Sequence, residues 1–113
     1  MTRSEYDSSA IRPLRPPDVD GCQGRWRSKW LLDVSRDVSV AACDAALSDG
    51  FPPETRMRRT PSGRIELALI TEFHPMLPDS FASVDQALRR VDTEFGLIAI
   101  NDSPKHFWRT FRG

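Results

Sequence analysis

Four side chains in this chain have the right chemistry for a metal site or a nucleophile: His74, His106, Cys22 and Cys43. Structural zinc sites draw their ligands as close pairs, because two donors a few residues apart reach one ion without a long loop to close. Here every candidate stands alone, and Cys43 falls on the apolar side of a helical pattern, so it reads as core. A serine or cysteine nucleophile would need one of the histidines as its base. Neither His74-Pro75 nor His106-Phe107 sits in a nucleophile-elbow or metalloprotease pattern, and both read as loop or surface histidines. Glu66 and Glu72 share a strand face, but the strand's rise holds them about 20 Å apart, too far for paired carboxylate catalysis. Gly21-Cys22-Gln23-Gly24 lacks the surroundings of a phosphate-binding loop. These residues predict no catalytic centre, no metal site and no cofactor.

The cations are richer material. Arg25-Trp26-Arg27-Ser28-Lys29-Trp30, the run Arg56-Met57-Arg58-Arg59 with Arg64, and the segment from Lys105 through Trp108 and Arg109 to Arg112 each mix positive charge with aromatic or apolar side chains. Such mixtures neutralise phosphates and stack on bases, and arginine and tryptophan also dominate protein interfaces. Trp26, Arg27, Arg56, Arg58, Arg59, Arg64, Trp108, Arg109 and Arg112 are therefore the candidate partner-binding residues.

Composition bounds what those cations can do. The 113 residues carry 16 basic and 16 acidic side chains, so no global field draws the chain toward nucleic acid or an anionic membrane. An apolar fraction of 39% with 28% charged residues suits a globular chain with a modest core. Two unpaired-looking cysteines make no disulfide framework, and no stretch approaches the roughly 20 apolar residues of a membrane span. A cytoplasmic protein with no membrane partner is expected.

The elements that must position these residues follow from periodicity. Residues 1–24, with Pro13, Pro16, Pro17, Gly21 and Gly24 among small polar residues, predict a flexible arm that Ile11 and Leu14 could anchor. The remainder, 25–113, forms one α+β domain. Trp30, Leu32 and Val34 alternate along a first strand. Val40, Cys43 and Leu47 mark a short helix capped by Ser39 or Asp37 and ended by Gly50, before the rigid Phe51-Pro52-Pro53 loop. Thr55–Thr60 is a charged edge strand, and Pro61-Ser62-Gly63 turns it into the long strand Arg64–Phe73. Ile65, Leu67, Leu69 and Phe73 share one face of that strand, and Glu66, Ala68, Ile70 and Glu72 the other.

A capping box at Ser83-Val84-Asp85-Gln86 predicts the start of a second helix, with Val84, Ala87, Leu88, Val91 and Phe95 on its apolar side and Gly96 as its end. Leu97–Ile100 follows as a strand apolar enough for burial on both faces. Asp102-Ser103-Pro104 predicts a short C-terminal aromatic helix over Lys105–Arg112. Two split β-α-β units in this order predict a ferredoxin-like βαββαβ sandwich, with the strands at 30–34 and 64–73 central and both helices on one face.

The open face would show Leu31, Ala68 and Ile70, which makes a homodimer through that face a further expectation. It offers Glu66 and Ala68 where an RNA-recognition sheet carries stacking rings, which argues against ordinary RNA recognition through the sheet. The function expected is a small non-enzymatic protein-binding module, a regulator or inhibitor of a larger nucleic-acid-processing complex, of the general look of small inhibitors and mobile-element accessory proteins. The alternative is a nucleic-acid binder working through the arginine-rich hairpin.

Overall fold

The computed structural model describes residues 6–7, 11–13, 24–47, 51 and 54–110, with 101–110 described by backbone. Among the described residues six elements follow one another: β1 (Arg25–Val34), α1 (Val40–Leu47), β2 (Arg56–Arg59), β3 (Ile65–Thr71), α2 (Pro78–Phe95) and β4 (Leu97–Thr110). They make an α+β fold of one four-stranded antiparallel sheet, ordered β2-β3-β1-β4, and two helices.

Strand alternation builds the core. Ile65, Leu67, Leu69 and Thr71 of β3 are buried, and the register Trp30↔Leu67 and Leu32↔Ile65 lays Trp30 and Leu32 beside them. Met57 adds the β2 contribution opposite Leu67. Cys43 and Ala46 of α1, with Val84, Ala87, Leu88, Val91 and Phe95 of α2, close over this one face of the sheet. The Trp30 indole is fully buried, and its N–H donates to the buried Ser28 hydroxyl at 2.9 Å, so the ring enters the core without an orphaned donor.

Helix ends show where local signals held and where they were outcompeted. Ser39 caps α1 by accepting the Ala42 N–H at 3.0 Å. Of the expected Val40–Cys43–Leu47 row, Cys43 is buried and Leu47 packs against the core, joined by Ala46, whereas Val40, in the first turn beside the cap, faces outward at 62% exposure. Helix α2 starts at Pro78, so Ser83 lies inside it and the expected capping box is not its beginning. Pro78 lacks the N–H that a first turn would leave unpaired, and Asp79 places negative charge at the positive end of the helix. Gly96 ends α2 as expected, left-handed at φ 71° with its N–H donating to the Asp92 carbonyl at 2.8 Å. The chain leaving β1 satisfies more of that end: Ser35 N–H donates to Gly96 O at 2.7 Å and Arg36 N–H to Phe95 O at 3.0 Å.

The expected C-terminal aromatic helix is instead the outer half of β4, which is extended to Thr110. Ten-residue β1 leaves its Arg25–Lys29 backbone open on the side away from β3, and 106–110 fills it, from Lys29↔His106 to Arg25↔Thr110. Pro104, which cannot donate to a ladder, lies where the register is interrupted between Lys29 and Leu31. Leu97–Ile100 is not buried on both faces, because β4 is an edge strand and Ile98, beside a second register shift, is 63% exposed. Phe73 also leaves the inner face. The Thr71 hydroxyl donates to the Phe73 carbonyl at 2.6 Å where β3 ends, and the ring is 41% exposed.

Most of the arm at 1–24 lies outside the described residues, as do Gly50, Pro52-Pro53 and Arg112. Of the arm, Tyr6 and Ile11 pack against the core. The Tyr6 N–H donates to the Asp92 carboxylate at 2.9 Å, and its ring lies under the Arg89 guanidinium, 5.6 Å from the ring centre.

Candidate functional site

The sheet face away from the helices carries the other half of each alternation: Arg27, Lys29, Leu31 and Asp33 from β1, Glu66, Ala68 and Ile70 from β3, and Arg56 and Arg58 from β2. Register orders them into rows. Arg56, Ala68 and Lys29 stand side by side on three neighbouring strands, as do Arg58, Glu66 and Leu31, while Ile70 pairs with Arg27. On β4, His106 and Trp108 are the register partners of Lys29 and Arg27.

Carboxylates thread this surface without neutralising it. Glu66 meets Arg58 at 2.7 Å and Lys29 at 3.9 Å, Arg64 meets Asp33 at 2.9 Å, and Arg25 meets Glu54 at 2.7 Å. The Glu66 contact holds the Arg58 guanidinium even more firmly in its charged form. Six cations, Arg25, Arg27, Lys29, Arg56, Arg58 and Arg64, thus share the face with four carboxylates, Asp33, Glu54, Glu66 and Glu72. Between them a shallow cavity of about 480 Å³ has Ala68 and Ile70 in its floor and Arg27, Lys29, Arg56 and Glu54 at its rim.

The candidate partner-binding residues divide between the two sides of the sheet. Arg27, Arg56, Arg58 and Arg64 come together on the open face. Arg59 does not: it pairs with Ile65 on the Met57 side and lines a separate cavity with Arg36 and Val38. Trp26 also turns to the covered side, opposite the buried Thr71, where its ring meets that of His74 at 4.8 Å between centres. Trp108 and Arg109 are placed by backbone, in register with Arg27 and Trp26, and Arg112 lies outside the described residues. Lys29 escaped the sequence reading as a site residue, although its parity with Arg27 along β1 was the available signal.

His74 is a loop histidine, as expected, but a buried one. Its Nδ1 accepts the Met76 N–H at 3.0 Å, and burial pushes its pKa below the usual histidine value, so it is neutral and held in place. Cys43 is buried among apolar side chains, and desolvation, with Asp44 nearby, raises its thiol pKa and keeps the thiolate from forming. Among the described residues, no three His, Cys, Asp or Glu side chains stand together to hold a metal ion, and no helix is long and apolar enough to cross a membrane. No family model, curated protein or solved structure matches this chain.

Proposed function

We propose that the chain is a small non-enzymatic protein-binding module, acting in the cytoplasm, whose docking surface is the open face of its sheet. We also propose that its fold is the ferredoxin-like sandwich, a reading supported by the β-α-β-β-α-β element order and by the pairing of the two central strands. One observation carries the functional reading. Leu31, Ala68 and Ile70 stand half-buried on a face that neither helix covers, within a border of arginines. Aliphatic floors bordered by arginine are what protein interfaces desolvate well, since the guanidinium is weakly hydrated and forks onto carboxylates and carbonyls.

The test is affinity capture with nuclease treatment, using wild-type protein and the Ile70→Asp variant. A partner retained after nuclease digestion by wild type and lost by Ile70→Asp supports the reading. Retention unaltered by Ile70→Asp moves the docking surface elsewhere. A second reading, nucleic-acid binding, rests on the cation excess of the same face and predicts affinity that falls steeply with added salt as counterions are released. Absence of a gel shift at low salt with single- and double-stranded RNA and DNA would remove it.

A further inference from the structure

The open face also constrains what can sit on it. Arg56 and Lys29 flank Ala68 across three strands, and at a strand spacing of about 4.8 Å their backbones stand roughly 10 Å apart. The methyl group of Ala68 leaves a notch between two long cations, while Ile70 continues the floor beside Arg27. A carboxylate entering that notch meets positive charge from both sides, and an aliphatic neighbour in the same segment comes to rest on Ile70 or Leu31.

Resting on the protein-binding reading above, we propose that the occupant of this notch is an acidic polypeptide segment in which carboxylates are flanked by aliphatic side chains. A second copy of the chain is a poor occupant, because a face-to-face pair related by two-fold symmetry would set this cationic rim against itself. A nucleic-acid strand is a poor one too. Glu54 and Glu66 interrupt the cations that a continuous row of phosphates would need. A segment that alternates acids with aliphatic residues matches both halves of the surface, cation to carboxylate and Ile70 to side chain.

The probe is a fluorescein-labelled peptide in which Glu alternates with Leu, titrated with the full chain and followed by anisotropy. A Lys-Leu peptide and a labelled oligouridylate serve as comparisons. Arg27→Glu with Arg56→Glu reverses two exposed cations of the rim, Ala68→Leu fills the notch without changing charge, and Ile70→Asp disrupts the floor. Thermal unfolding of each variant separates lost binding from lost folding. The expected result is binding of the Glu-Leu peptide by wild type, weakened at least tenfold by the charge reversal and by Ala68→Leu. The reversed variant should gain affinity for the Lys-Leu peptide instead.

Three results would overturn the proposal: Glu-Leu binding indifferent to the reversal, tighter binding of oligouridylate than of peptide by wild type, or self-association abolished by Ile70→Asp. Failure here is distinguishable from failure of the broader reading. If the partner captured from cells is lost by Ile70→Asp but retained by the reversed variant, the face remains a docking surface and only the acidic character of its occupant falls.

Discussion

His74 shows how one buried polar side chain ties stability to pH. Neutral in the fold, it accepts the Met76 N–H through Nδ1, and a proton on that nitrogen would set donor against donor. Burial lowers its folded pKa, while the unfolded chain keeps a value near 6.5. Above that value both states are neutral and the contribution is whole. As the pH falls below it toward the folded pKa, the unfolded chain takes the proton first and stability is lost. Urea midpoints measured from about pH 7.5 to about pH 5 should fall for wild type and fall less for His74→Gln, which keeps an acceptor but cannot ionise. Equal slopes for the two proteins would refute this. Gly63 offers a cleaner backbone test. Its φ is +92° and nothing lies within 4 Å of where a Cβ would stand, so Gly63→Ala meets no clash. It should still cost about 1–2 kcal/mol in chemical denaturation, because an L-residue resists that conformation.

Among the elements, Asp92 is the point where α2, β4 and the arm are tied together. One carboxylate oxygen accepts the Leu97 N–H at 2.9 Å and the other accepts the Tyr6 N–H at 2.9 Å. Asp92→Ala strips both and should lower stability by about 1–3 kcal/mol. It should also raise hydrogen exchange at Tyr6 and Leu97, and unchanged exchange there would count against the tie. The alternation of β3 and the caps at Ser39 and Gly96 were legible in the sequence because each is settled within a few residues. The misreadings share a different cause. Asp102-Ser103-Pro104 looks like a helix start on its own, and only the unpaired flank of β1, some eighty residues earlier in the chain, makes 106–110 a strand. At α2 two adequate start signals compete, and Pro78 wins from five positions upstream because the Leu77 N–H is already taken by the His74 carbonyl at 2.9 Å, which turns the chain into helix there. The candidate surface was half legible: parity along β2 and β3 separates Arg56 and Arg58 from Met57, but Trp26 was grouped with Arg27 as a sequence neighbour although alternation sends their side chains to opposite sides.

At the scale of the whole molecule, the sheet keeps its core-forming side apart from the side proposed to bind. Trp30, Leu32, Ile65, Leu67 and Leu69 are buried on one side, while Arg27 and Arg56 are exposed on the other. Reversing both arginines should therefore leave the unfolding free energy within about 0.5 kcal/mol of wild type, as for surface changes generally. A larger loss would mean that the cationic face also holds the fold together. The pairing of Arg25 with Thr110 has a consequence for connectivity: the first residue of β1 and the last of β4 are neighbours, about 5 Å apart between Cα atoms. A circular permutant opened at the 61–63 turn and closed by a short linker from 110 to 25 would forgo the Tyr6 and Ile11 contacts yet retain all three strand registers. The order in which ribosomal synthesis delivers the strands is thus separable from the order in which the sheet holds them.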